Sequence, residues 1–238
     1  MSFYKVLSPY YDFIFPLNNN ALSFLSTSFN KGESLLDIGA GTGSMAIALA
    51  EKGLIVTAIE PEETMAEHIG LKAVTSEVPL SIHTKSMEQI EQLQETFDGI
   101  YCIGNTLAHL QNLEDLESFL NKCFKKLKQN GRLILQLVNY DNVISNDNFS
   151  FPVIKKENFV FTRQYEKKKE HILFTTTLTT DKESKVNTVS LYPITSLQLI
   201  PLLEKAGFQE IQAYGSFKGE SYSPNSQALI VVARTVDL

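Results

Sequence analysis

Between Ser34 and Asn139, short and almost wholly apolar runs alternate with stretches of helical composition. The runs are Ser34–Gly39, Leu54–Ile59, the weaker Leu80–Ser86, Phe97–Ile103 and Gly131–Asn139. A strand with one face in water alternates polar and apolar residues, whereas one that is apolar throughout is covered on both faces. Helices fill the gaps: Ser44–Lys52 closed by Gly53, Glu62–Leu71 with acids in its first turn, and a segment where Leu113, Leu116, Leu120, Cys123 and Leu127 recur at helical spacing. This alternation predicts an α/β fold, a doubly wound and mostly parallel sheet with helices on both faces.

The rhythm changes after Asn139. NFVFTRQYE, HILFTTTLTT and TVSLYPI are rich in aromatic and β-branched residues and are separated by polar turns, which predicts an antiparallel addition at about residues 140–195. The lysines of Lys167-Lys168-Lys169 read as a solvated turn inside it. Ser196–Ala206 then reads as a helix in mild conflict with Pro201, and FQEIQAY and ALIVVAR as closing strands. The 238 residues fit a single domain, 1–238, with an N-terminal arm at 1–30 and an insertion or lid at 140–195.

A net charge of −6 disfavours a broad nucleic-acid surface. No stretch approaches the roughly 20 apolar residues of a membrane span. Cys102 and Cys123 lie in apolar segments and read as inert packing thiols, so a reducing, cytoplasmic setting is expected. No Cys/His cluster has metal-ligand spacing, and no metal is expected.

The first apolar run stops in LLDIGAGTGS, where Gly39, Gly41 and Gly43 stand at alternate positions. Glycines after the first strand of a parallel sheet permit a tight turn and let backbone N–H groups approach a ligand. The next strand ends in Glu60, where a carboxylate can accept both hydroxyls of a ribose. The dinucleotide fingerprint G-x-G-x-x-G would put its third glycine at Ser44; this loop is G-x-G-x-G preceded by Asp37, an acid poorly placed for a pyrophosphate but well placed for a cationic amino-acid group. Asp37-Ile-Gly39-Ala40-Gly41-Thr-Gly43 followed by Glu60 resembles the S-adenosylmethionine site of class I methyltransferases, with their Rossmann-like seven-stranded sheet whose last two strands are antiparallel.

The resemblance implies further contacts to that donor. Pro61 and Met65 would wall the adenine, Ser86 and Met87 would meet its edge with Glu88 near its amine, and Ile103 to Asn105 would face the sulfonium. Taken alone, Met65 and Met87 fit core filling equally well. The segments Asn105–Leu110 and Asn139-Tyr140-Asp141 are similar to those of the glycine/sarcosine N-methyltransferase type, in which an arginine precedes the Asn-Tyr-Asp; here that position is Val138. The implied function is methyl transfer to a small-molecule acceptor by in-line displacement, which needs alignment and dryness more than a strong catalytic dyad.

Around the acceptor, His109 reads as an acid–base group or a structural histidine, and Tyr10 and Tyr11 as closing over the ligands or as packing of the arm. Asp12 reads as a helix cap or a ligand contact. Arg163 reads as a surface pairing residue, with binding of an anionic acceptor as the alternative. A nicotinamide-dependent oxidoreductase and a non-catalytic nucleoside-binding protein are the rival functions; the acceptor, the attacking atom and the oligomeric state are open.

Overall fold

The computed structural model describes residues 6–146 and 150–236, so residues 1–5 of the expected arm and 147–149 of the expected insertion lie outside the described residues. Strands β1 (Ser34–Ile38), β2 (Ile55–Ile59), β3 (Leu80–His83), β4 (Phe97–Cys102) and β5 (Leu127–Val138) come first. Then follow β6 (Ile154–Lys155), β7 (Phe159–Lys168), β8 (His171–Thr180) and β9 (Ser184–Leu191), and finally β10 (Gln209–Tyr214) and β11 (Ala228–Arg234). One sheet has the order β10-β11-β5-β4-β1-β2-β3 and the other β6-β7-β8-β9. In the seven-stranded sheet β11 is antiparallel to both neighbours, and β1 to β5 pair in parallel.

Successive side chains of a strand point to opposite faces, and both faces are covered. Leu36, Ile100, Leu133 and Leu135 enter one core with the helices Leu113–Lys126 and Ser196–Lys205. Leu35, Val56, Tyr101 and Ile134 enter the other with Asn19–Ser28 and Ser44–Glu51. Leu113–Lys126 buries Leu116, Phe119, Leu120 and Cys123, a single stripe at helical spacing. Its Asn112 cap accepts from the Asp115 N–H, and acids and lysines occupy the dipole-favoured ends.

Some sequence boundaries move. β5 starts at Leu127 rather than Gly131, and the helix after β2 runs to Thr75. Lys167 and Lys168 belong to β7, leaving Lys169 at positive φ to make the turn. The last helix continues through Pro201, held by buried Leu199 and Leu203 and a Thr195–Gln198 capping box. A short helix at Tyr140–Ser145, capped by Asn139, precedes the second sheet. That sheet packs Phe159, Phe161 and Leu178 against Leu7 and Ile14 of the arm. It docks on the segment after β4, where the Tyr192 N–H donates to the Ala108 carbonyl at 2.8 Å. Among the described residues no helix is long and apolar enough to cross a membrane.

Candidate active site

Strand order reverses between β1 and β4, so the loops after these strands diverge and leave a crevice at the sheet's carboxyl edge. Gly39, Gly41 and Gly43 all have positive φ, from +60° to +78°. A Cβ at Gly39 would collide with Thr106, and one at Gly41 would lie 2.9 Å from the Tyr11 hydroxyl. Both line the crevice of about 440 Å³; Gly43 does not, and instead leaves room for Ile69 of the next helix. Glu60, 8% exposed, accepts from the Gly41 N–H at 2.9 Å and the Glu62 N–H at 3.1 Å. Burial raises its pKa although those two N–H groups oppose the shift.

The crevice also brings together Pro61, Met65, Ser86, Met87 and Glu88, contributed by the segments after β2 and β3. Asp37, Ala40 and Ile103 are not among its walls, and Asn105 faces a second cavity. Asp37 is 2% exposed beside Tyr101 of β4, and its Oδ2 has no hydrogen-bond partner among the described residues. Complete burial, with a contribution from Glu60 and against the pull of Tyr101, raises its pKa to about 7.

The second cavity, about 320 Å³, lies between the arm, the segment after β4 and the inner face of the second sheet. It shares Tyr11, Gly104, His109 and Val189 with the crevice. His109 thus stands at the junction; burial lowers its pKa, with Glu88 partly opposing, which favours the neutral imidazole. A hydrogen-bonded chain backs the cavity. The Val138 N–H donates to Asn105 Oδ1 at 3.0 Å, the Asn105 amide donates to the Tyr140 hydroxyl at 2.8 Å, and Tyr140 is hydrogen-bonded to Tyr165.

A family profile described as a methyltransferase domain matches residues 35–131. The glycine/sarcosine N-methyltransferase of Aphanothece halophytica is 26% identical over 216 residues, 89% of this chain and 80% of its own. An S-adenosylmethionine-dependent methyltransferase of Clostridium acetobutylicum superposes with a TM-score of 0.84 at 11% identity, covering 99% of this chain and 100% of its own. A structure with S-adenosylmethionine bound, an amino pentose methyltransferase of Micromonospora echinaspora, gives 0.70 at 15% identity, covering 92% and 89%. Residues 35–131 thus match a methyltransferase domain, and these likenesses support a class I S-adenosylmethionine-dependent methyltransferase.

The structure departs from the sequence-based expectations at the arm and at Arg163. Asp12 neither caps a helix nor lines either cavity. It accepts from the Thr42 hydroxyl at 2.5 Å and the Ser44 hydroxyl at 3.1 Å, and pairs with Lys72 at 2.5 Å, strapping the arm to the glycine loop. Tyr10 packs edge-on against Phe159, while Tyr11 reaches both cavities. Asn139 and Asp141 are structural: the Asn139 amide donates to the Ser223, Pro224 and Ser226 carbonyls, and Asp141 accepts from the Ser196 N–H and the Tyr222 hydroxyl. Arg163 is not in a surface pair. It forms no ion pair among the described residues and lines the second cavity, its guanidinium 4.8 Å from the Phe151 ring centroid.

Residue-by-residue reading missed Gln136, whose Oε1 accepts from the Gly104 N–H at 2.7 Å. The signal was present: it is a lone amide inside the apolar LILQLV. Tyr165, Thr176 and Asn187 were missed because they point inward only once the register of β7, β8 and β9 is set.

Proposed function

We propose that the methyltransferase moves the methyl group to a small molecule by in-line displacement, with the donor in the glycine-lined crevice and the acceptor in the adjoining cavity. The observation that carries this reading is their common wall: Tyr11, Gly104, His109 and Val189 border both spaces. Bound in the crevice, S-adenosylmethionine supplies a methyl group already activated by the positive charge on its sulfur.

The crevice residues suit that donor. Glu60 is a buried carboxylate that can take ribose hydroxyls in place of the N–H groups it now accepts. Pro61, Met65, Ser86 and Met87 offer an apolar slot with a polar edge for adenine. Behind the loop, Asp37 Oδ2, unpartnered among the described residues, can accept from an amino-acid ammonium. Gly39 and Gly41 keep the loop bare where main chain meets ligand. The arm and the second sheet act as the cover that excludes water and shapes the acceptor pocket.

At the junction, His109 can take the proton released by a hydroxyl or amine nucleophile as its bond to the methyl carbon forms and the carbon–sulfur bond breaks. Small-molecule acceptors are in keeping with relatives named for glycine, sarcosine and an amino pentose. The resemblance to the glycine/sarcosine type implies an arginine at the position of Val138, and its replacement by an apolar side chain favours an acceptor other than glycine. Calorimetry with S-adenosylhomocysteine, then incubation of labelled donor with a panel of amines, phenols and acids, tests the reading. Binding and label transfer to a small molecule are expected; binding with a blank panel and labelled protein or nucleic acid would overturn it.

A further inference from the structure

The inner face of the second sheet is ordered in rows. Antiparallel pairing aligns Arg163 with Thr176 and Thr176 with Asn187, and all three face the cavity. Two residues along each strand, the next row is Tyr165, Phe174 and Val189. The first row carries a guanidinium, a hydroxyl and an amide; the second is aromatic and aliphatic. Only the second reaches the donor crevice, through Val189.

Arg163 is placed as a binding group. Among the described residues its Nε is buried without a partner, and Nη2 donates a long hydrogen bond, 3.4 Å, to the Pro152 carbonyl. No acidic side chain is among the described residues lining the cavity, so nothing there neutralises the charge. A buried guanidinium edge without an acceptor is costly unless a ligand completes it. Phe151 and Phe174 add ring faces on which a flat molecule can stack.

The spacing of the rows sets the length of the ligand. Residues two apart on a strand are ~7 Å apart. An anion on the Arg163 row therefore sits one row, roughly 7 Å, from the wall shared with the donor crevice. In glycine the nitrogen is two bonds from the carboxylate carbon, roughly 2.5 Å away, too short to bridge that gap.

We propose that the methyl acceptor is an elongated aromatic acid, its anionic group held by Arg163, Thr176 and Asn187, its ring against Tyr165 and Phe174, and its nucleophilic atom at the far end beside His109. This rests on the reading of the second cavity as the acceptor pocket. The Tyr140–Tyr165 chain serves as the rigid back of the ring site, and the apolar Val138 lines the same cavity.

Calorimetry on the full chain, with and without saturating S-adenosylhomocysteine, tests this with 4-hydroxybenzoate, its neutral amide 4-hydroxybenzamide, and glycine. The acid should bind ~10–100-fold more tightly than the amide, since a charge-assisted pair is lost, and glycine should bind weakest. Arg163→Gln should erase the preference for acid over amide, Arg163→Lys should keep part of it, and S-adenosylhomocysteine affinity should not change in either. Equal binding of acid and amide by the wild type, which needs no variant, overturns the assignment, as does undiminished acid binding by Arg163→Gln. A protein that takes the acid but not S-adenosylhomocysteine would leave the anion site standing and remove the methyl-transfer reading beneath it.

Discussion

The crevice proposed for the donor and the cavity proposed for the acceptor share four wall residues but are built by opposite means. The crevice comes from turns that immediately follow parallel strands, so each wall segment is contiguous in sequence: Gly39 to Gly41, Glu60 to Met65, Ser86 to Glu88. The cavity comes from alternate residues of separate antiparallel strands plus an arm more than a hundred residues away in the chain. A site made of contiguous turns can be kept in many proteins while the facing cavity is rebuilt.

Substitutions should separate the two regions. Gly41→Val is expected to have the largest effect. It forces a β-branched residue to φ +60° and drives its side chain into Tyr11, so S-adenosylhomocysteine affinity should fall on the order of 100-fold or more. Calorimetry reads this; near-normal binding would mean that the loop does not touch the donor. Glu60→Ala should weaken the same ligand by ~1–3 kcal/mol without altering acceptor-probe affinity. A parallel loss of both would blur the division.

Asp37 gives a subtler contrast, in pH rather than affinity. Its folded pKa is raised from 3.8 to about 7, so the folded state holds a proton that the unfolded chain releases. The stability this group contributes is full below pH 3.8 and is lost as pH rises towards 7. The ligand-free Tm should therefore decline between about pH 4 and 7, and Asp37→Asn should flatten that decline while weakening donor binding. Thermal scans at several pH values check it; an unchanged slope would place the ionised form comfortably inside the fold.

The smallest effect belongs to the strap that joins the regions. Burial pushes Asp12 up, but Lys72, Thr42 and Ser44 together bring its pKa below the usual value. The pair is partly exposed, so Asp12→Asn should cost no more than ~1 kcal/mol of stability. It should instead expose the arm, which limited proteolysis near residues 6–15 would detect. An arm equally resistant in the variant would assign its anchoring to Leu7 and Ile14 alone.

These differences also explain what the sequence could and could not disclose. Fully apolar runs announced the two-sided sheet, and the glycine spacing with Asp37 and Glu60 pointed to the donor, because those signals are local. Arg163 went to the surface in that reading because NFVFTRQYE has mixed polarity on both alternations, and only pairing with β8 decides which face is inward. Gly43 was grouped with the ligand loop, although the space it preserves is filled by Ile69 from a helix that starts at Glu63. The short helix after Asn139 was missed because its capping residue also looked like part of a substrate motif.

The position of β11 has a consequence for how the chain reaches this state. It follows β10 in sequence yet lies between β10 and β5, paired along all its length, from Ala228 to Arg234, with β5. During synthesis β10 therefore emerges before the strand it must join, and the outer edge of β5 stays bare until β11 arrives. A bare edge is a template for pairing with other chains. One strand thus both seals the edge of β5 and recruits the strand made before it.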